Sequence, residues 1–218
     1  MAVTNQQRAL LVQGCEQLGL ALDTAQKDKL NAYLDGLVKW NQAYNLTAIR
    51  DPGEMVVRHL LDSLAIHQAV QRDNILDVGT GPGMPGIPMA ICRPHQRWTL
   101  LDSNGKKTRF LLQMKRELQL DNVTVIKARV EAMADHERFD AITCRAFTSL
   151  QDFVAHCLHL LQPNGYLLAL KGQLPQAEMD ALDCSRVHVD SLKITVPFLH
   201  EERHLINIRK NHTGSQAS

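Results

Sequence analysis

Residues 75–88 read Ile75-Leu76-Asp77-Val78-Gly79-Thr80-Gly81-Pro82-Gly83-Met84-Pro85-Gly86-Ile87-Pro88, and the rest of the chain is organised around them. The stretch opens with a short apolar run carrying one carboxylate, which reads as a buried strand ending at Val78. Glycines follow at 79, 81 and 83, then at 86. That density lets the backbone turn sharply and lets a ligand approach the main chain without meeting a Cβ. Pro85 and Pro88 stand where a helix begins, and a first helical turn tolerates proline. Strand, glycine loop and helix amino-terminus together spell a ligand-binding turn of an open α/β sheet.

Gly81-Pro82-Gly83-Met84-Pro85-Gly86 satisfies the Gly-x-Gly-x-x-Gly spacing of dinucleotide-binding folds, so a nicotinamide-dependent oxidoreductase is one reading. Two features point away from it. Asp77 precedes the first glycine by two residues, where its charge opposes a pyrophosphate and suits a cationic ligand. Pro82, Pro85 and Pro88 remove backbone N–H groups from the region where a pyrophosphate needs donors. S-adenosylmethionine carries a sulfonium and an ammonium and no phosphate, and it fits better. A second strand candidate, Trp98-Thr99-Leu100-Leu101-Asp102, ends in an acid at the distance expected for a carboxylate that holds ribose hydroxyls. Asp102 reads equally as a helix-capping residue before Ser103.

From Ile75 onward strands alternate with helices, which implies a mainly parallel sheet with helices on both faces. Strands are predicted at 75–79, 97–102, 123–127, 139–144 and 165–171, with helices at 85–92, 104–119, 130–134 and 149–161. After Gly172 come a short helix at 175–182 and two strands, 186–196 and 203–209, with no helix-length segment between them, so these pair antiparallel. The fold class is therefore α/β. Its sheet is Rossmann-like, with seven strands of which the last two form an antiparallel hairpin, as in S-adenosylmethionine-dependent methyltransferases. Before it, residues 1–70 carry no strand signal and form a helical appendage. A first helix spans 5–19 with Leu10, Leu11, Cys15 and Leu18 on one face. A second starts at Asp23, with Gln26 at capping-box spacing, and carries Leu30, Tyr33, Leu34, Leu37, Val38, Trp40 and Tyr44 at helical period. A third is capped by Asp51-Pro52-Gly53-Glu54 and runs to about Val70. The domain division is thus 1–70, a methyltransferase-like domain at 71–210, and a polar tail at 211–218 expected to be disordered.

Composition sets bounds on partners. The 218 residues carry a net charge of +1, so nucleic-acid binding has to come from a local basic patch and not from the summed field. Cysteines 15, 92, 144, 157 and 184 are scattered without a C-x-x-C pair, against a disulfide framework or a structural zinc site and in keeping with a reducing cytoplasm. No apolar run approaches membrane-spanning length, and the amino-terminus is too polar for a signal peptide. A monomer is expected, since no apolar stripe is left over.

Several segments resemble the bacterial glucose-inhibited division protein B family. They are Trp40 through Thr47 (WNQAYNLT), Arg58 through Ser63 (RHLLDS), Asp77 through Pro88, Leu100-Leu101-Asp102-Ser103, Arg129-Val130-Glu131, Arg145-Ala146-Phe147 and Ala169-Leu170-Lys171-Gly172. The likeness runs from about residue 8 to 209, departing where Met84 replaces a common leucine. Members of that family methylate N7 of a guanine in 16S (small-subunit) ribosomal RNA. The resemblance therefore implies S-adenosylmethionine as cofactor and small-subunit RNA or the 30S particle as partner. It also implies cofactor contacts from the backbone of Gly79 and Met84, adenine contacts from Val130 and Glu131, and Arg145 near the methyl group. With Asp77, Gly81, Gly83, Asp102 and Ser103 these make the expected cofactor set.

Guanine N7 is an unprotonated lone pair, so its methylation needs no general base and no covalent nucleophile, only alignment. The sequence offers no nucleophile–base pair and no Asp/Asn-Pro-Pro-aromatic segment after the fourth strand; Thr143-Cys144-Arg145-Ala146-Phe147 stands there. Arg145 and Lys171 are the candidate catalytic residues: an arginine fork suits guanine O6 or a phosphate, with a structural ion pair as its alternative. Phe147 either stacks a base or packs in the core. Cys144 reads as a buried inert thiol and His59 as a satisfied, partly buried histidine. Lys106, Lys107, Arg109, Lys115 and Arg116 form the densest basic run and, with Arg58 and Lys171, a candidate RNA surface; the alternative is a solvated helix face. No metal ligand set is present. A non-catalytic RNA-binding assembly factor is the remaining alternative, disfavoured because such a module has no use for a cofactor pocket.

Overall fold

A computed structural model describes residues 2–134, 137–145 and 149–211. Three helical segments come first: α1 (Asn5–Gln17), α2 (Thr24–Tyr44) and a third, which opens as α3 (Pro52–Met55), widens into a π-helical turn over Val56–Leu61 and closes as α4 (Asp62–Leu64). Each starts on a side-chain cap. Thr4 and Gln7 form a capping box on α1, Asp23 and Gln26 another on α2, and Asp51 caps Glu54 N–H with Pro52 in the first turn. The π turn is a departure from the regular helix expected to reach Val70. It lies where Arg58 and His59 project, and such turns recur at functional sites.

The sheet follows: β1 (Asn74–Val78), β2 (Arg97–Leu101), β3 (Val123–Ile126), β4 (Phe139–Arg145), β5 (Leu161–Lys171), β6 (Val187–Ile194) and β7 (Arg203–Lys210). Their order is β3-β2-β1-β4-β5-β7-β6. The first five are mutually parallel and the last two antiparallel, as the missing crossover requires. Between strands stand α5 (Gly86–Cys92), α6 (Gly105–Glu117), α7 (Leu150–Cys157) and α8 (Gln176–Asp180). The helix expected at 130–134 is a single 3-10 turn, Val130–Ala132. Strand β5 begins at Leu161, ahead of the expected 165, where Leu161 pairs with Phe139 before a register shift. Asn211 still bonds the Arg186 carbonyl, and the rest of the polar tail, 212–218, lies outside the described residues.

Strand alternation divides the core in two. Ile75, Leu100, Trp98, Leu168, Leu170 and Leu205 face one side, and Leu76, Val78, Leu101, Ile142, Leu167 and Ile206 the other. The second side is covered by α7 and the Val130 turn. On the first, the sheet, α5, α6 and the N-terminal helices belong to one apolar cluster: Leu11, Tyr33, Leu34, Leu37 and Leu60 lie in it with Ile87, Phe110 and Met114. The appendage is therefore packed into the sheet's own core, and Gly36 admits the Met114 side chain, whose Sδ is 2.6 Å from where a Cβ would stand.

Candidate active site

The carboxyl ends of β1, β2 and β4 meet at one edge, where open parallel sheets bind ligands. The glycine loop there is held by its own neighbours. Asp77 is fully buried, its Oδ2 accepting from Thr80 Oγ1 at 2.5 Å and Gly86 N at 3.0 Å, and its Oδ1 from Thr143 Oγ1 at 3.0 Å. Burial raises its carboxyl to about 6, opposed by those three hydrogen bonds and by Arg145. Asp102 accepts from Gly81 N at 2.9 Å and from Asn104 N at 2.8 Å. Thr80 N reaches the Leu101 carbonyl, while Gly83 N and Met84 N share the Thr80 carbonyl.

The loop amides at 80, 81, 83, 84 and 86 are thus all taken inside the protein, and Pro82 and Pro85 have none. A pyrophosphate would find none of those five free.

Beside the loop opens a cleft of about 510 Å³ walled by Val78, Gly79, Asp102, Ser103, Lys107, Val130, Glu131, Asp152 and His156, among others. Gly79, Asp102, Ser103, Val130 and Glu131 of the expected cofactor set line it. Gly81, Gly83 and Met84 do not: they are buried, and they serve the turn. Asp77 does not line it either. Its charge lies under the loop, satisfied by three donors, and is no wall of the cleft. The capping alternative for Asp102 falls to Asn104, whose side chain accepts from Lys106 N and Lys107 N. Each Asp102 oxygen holds one amide and keeps acceptor capacity for a hydroxyl. Asp102, Glu131 and Asp152 set three carboxylates in the cleft beside Lys107, Arg129 and His156, and the carboxylate of Asp102 suits the hydroxyls of a nucleoside.

A second cleft, about 380 Å³, is lined by Ile49, Arg58, His59, Asp62, Arg145, Leu170, Lys171, Gly172 and Arg203. Arg145 joins it to the glycine loop. Its Nη2 lies 3.2 Å from Met84 Sδ and 3.3 Å from His59 Nδ1, and its Nη1 donates to the Arg58 carbonyl at 3.1 Å and lies 3.4 Å from Asp62 Oδ2. Arg203 Nε bonds the other Asp62 oxygen at 2.9 Å, so Asp62, 4% exposed, is shared by two guanidinia. Desolvation first, then Arg145, lowers His59 to about 3, so the ring is neutral. Its Nε2 pairs with Thr47 Oγ1 at 2.7 Å, and Asn41 fixes Thr47 N at 2.8 Å. Arg58 forks onto Glu201 at 3.0 and 2.6 Å, and Lys171 Nζ is held by Glu178 at 3.0 Å. Both cations border the cleft already paired.

Cys144 is buried, 1% exposed. Phe147 lies outside the described residues. The basic run divides along α6: Lys107 lines the first cleft with Lys106 and Arg109 in the same stretch of helix, while Lys115 and Arg116 sit in the last turn, about 9 to 15 Å further along at 1.5 Å per residue. Lys127 joins the first group, its Nζ 3.3 Å from the Cβ position of Gly105. Sequence reasoning missed Thr80, Thr143 and Arg203 as partners. It also read Tyr33 as core only, although Tyr33 is fully buried and its hydroxyl donates to the Pro82 carbonyl at 2.8 Å. The only signal available was a tyrosine where phenylalanine would pack as well.

Sheet order and the antiparallel final pair define the fold of an S-adenosylmethionine-dependent methyltransferase. By structure, the chain is similar to a Klebsiella pneumoniae protein described as an O-methyltransferase, with a TM-score of 0.60 at 14% identity over 95% of this chain and 100% of that one, a likeness of fold alone. Residues 26–206 match the family model for rRNA small subunit methyltransferase G (GidB), and the chain belongs to that family. It is 50% identical over 210 residues to "Ribosomal RNA small subunit methyltransferase G" of Pseudomonas putida F1, covering 95% of this chain and 97% of that protein. To the protein of the same name from Ectopseudomonas mendocina it is 50% identical over 214 residues, covering 97% and 100%. The family membership overturns the nicotinamide alternative. Among the described residues no helix is long and apolar enough to cross a membrane, and no group of three metal-ligating side chains occurs.

Proposed function

We propose that this chain methylates N7 of a guanine in small-subunit ribosomal RNA by aligning the acceptor, without proton abstraction or a covalent enzyme intermediate. The observation that carries the reading is Arg145 in the wall of the second cleft, whose guanidinium touches both Met84 of the glycine loop and His59. Bound S-adenosylmethionine supplies the electrophilic methyl group. Asp102 and Ser103 would hold its ribose side, and Val130 and Glu131 its adenine side.

The residues of the second cleft are equipped to orient and not to abstract protons. His59 is kept neutral by burial and by the adjacent guanidinium, and its two nitrogens are within hydrogen-bonding distance of Thr47, the Arg58 carbonyl and Arg145. The Lys171 ammonium is held by Glu178. Arg145, fixed through Nη1 by Asp62 and the Arg58 carbonyl, is a rigid planar donor whose Nη2 would exchange its contact with Met84 Sδ at 3.2 Å for guanine O6 or a phosphate oxygen. A nucleobase nitrogen already carrying a lone pair asks for no more than this. Lys106, Lys107, Arg109 and Lys127 at the same sheet edge supply cations for RNA phosphates. The substrate would be naked small-subunit RNA or an assembled particle.

The test is transfer of radiolabelled methyl to unmodified small-subunit RNA and, separately, to unmodified small subunits, followed by nucleoside mapping. Label is expected in 7-methylguanosine. Arg145→Ala should lower kcat at least a hundredfold while S-adenosylhomocysteine still binds. Label in an exocyclic amine or a ribose would refute the reading, as would an Arg145→Ala enzyme of full activity.

A further inference from the structure

We propose that Tyr33, on α2, is a positioning residue for cofactor binding: its hydroxyl holds the Pro82 carbonyl and so sets the shape of the glycine loop. The proposal rests on the reading of the first cleft as the cofactor site: Gly79 of that loop lines it, as does Asp102, which holds Gly81 N. Pro82 has no N–H, so its carbonyl is its only main-chain hydrogen-bonding group. It stands between Gly81 at φ +62° and Gly83 at φ +104°, two residues with little conformational preference of their own. The loop's shape is therefore set by what its polar groups are tied to. Asp77 and Asp102, from the ends of β1 and β2, tie Gly86 and Gly81. Pro82, the residue between those ties, is held from outside the sheet, by Tyr33 at 2.8 Å.

Tyr33 is itself immobilised. It is fully buried, its ring lies 6.1 Å from that of Phe110 on α6, and Phe110 lies 5.6 Å from Trp40 of α2. Burial holds the phenol protonated, outweighing the opposing pull of Arg145 and aided by Asp77, so the hydroxyl is a permanent donor. Among the described residues it is the one side-chain tie between the N-terminal helices and the loop. The first helices thus take part in cofactor binding without lining the cleft: a displacement of α2 is passed to Pro82 through this hydrogen bond.

Tyr33→Phe removes the hydroxyl and keeps the ring. Calorimetric titration with S-adenosylhomocysteine should show a Kd weakened about tenfold, the size of effect that follows loss of one buried hydrogen-bond partner. KM for S-adenosylmethionine should rise by the same factor, with kcat at saturation within about twofold of the parent. Incorporating 3-fluorotyrosine at position 33 keeps the hydroxyl and should restore the parental Kd. Val38→Ala removes packing from the same helix away from the loop and should lower the melting temperature with Kd unchanged. A Tyr33→Phe protein that melts lower but binds S-adenosylhomocysteine like the parent would overturn the proposal, and so would equal weakening by Val38→Ala. Asp102→Ala tests the underlying site. If that variant binds like the parent, the cleft assignment itself falls, a failure distinct from that of Tyr33.

Discussion

Two buried groups at the site titrate in opposite senses, and their effects on stability nearly cancel in the parent protein. His59 has a folded value of about 3 against 6.5 in a free side chain. The unfolded chain takes up a proton below pH 6.5 that the folded chain refuses, so stability is lost as pH falls from about 6.5 toward 3. Between pH 7 and pH 5 this amounts to about 2 kcal/mol at 1.36 kcal/mol per unit. Asp77 is raised from 3.8 to about 6. There the folded chain binds the proton more tightly, so stability is gained as pH falls through 6. Over the same interval the gain is about 1.3 kcal/mol. The pair together leaves a loss below about 1 kcal/mol.

Single substitutions unmask each half. The assay is urea unfolding at pH 7 and pH 5 without ligand, read as the change in ΔG between the two pH values, which cancels the other histidines. Asp77→Asn keeps acceptors and donors for Thr80, Gly86 and Thr143, and should show a loss on acidification greater than the parent's by about 1 kcal/mol. His59→Gln should lose about 2 kcal/mol less than the parent, so that its own balance turns to a gain. If His59→Gln tracks the parent between pH 7 and pH 5, the burial of a neutral ring beside Arg145 is not what governs the acid limb, and the reasoning fails.

The loop and the basic edge make further predictions. Gly83→Ala places a Cβ 2.4 Å from Ile87 Cγ1 and 2.8 Å from Leu111 Cδ2, at φ +104°. It should cost about 2 kcal/mol or more in chemical unfolding and weaken S-adenosylhomocysteine binding. The double variant Lys106→Glu, Arg109→Glu should weaken small-subunit RNA binding and flatten the slope of log K against log salt by about 2, with S-adenosylhomocysteine affinity unchanged. Parental salt dependence would remove α6 from the RNA surface.

Local chemistry in the sequence was enough for the sheet. Asp77 and the glycines of 79–86 announce a strand, a tight turn and a helix start because each depends on φ preference and apolar period within a dozen residues. The missing helix between residues 194 and 203 forces the last pair antiparallel for an equally local reason. Asn5, Thr24 and Pro52 begin helices where capping residues stand next to them in the chain. The cleft proposed for the cofactor was legible to the extent that its walls sit at strand ends: Gly79, Asp102, Ser103, Val130 and Glu131.

Tertiary structure alone decided what each polar side chain is spent on. Asp77 carries a charge suited to a cation, but its register places it on the face covered by α5, where Thr80, Gly86 and Thr143 consume it. Arg58 and Lys171 look like free cations until Glu201 and Glu178 arrive from 143 and 7 residues away. Arg145 meets Asp62 across 83 residues, and Tyr33 meets Pro82 across 49. A hydrogen bond is short-ranged and directional, so the partner is chosen by the packing of whole elements, and no spacing in the sequence encodes it.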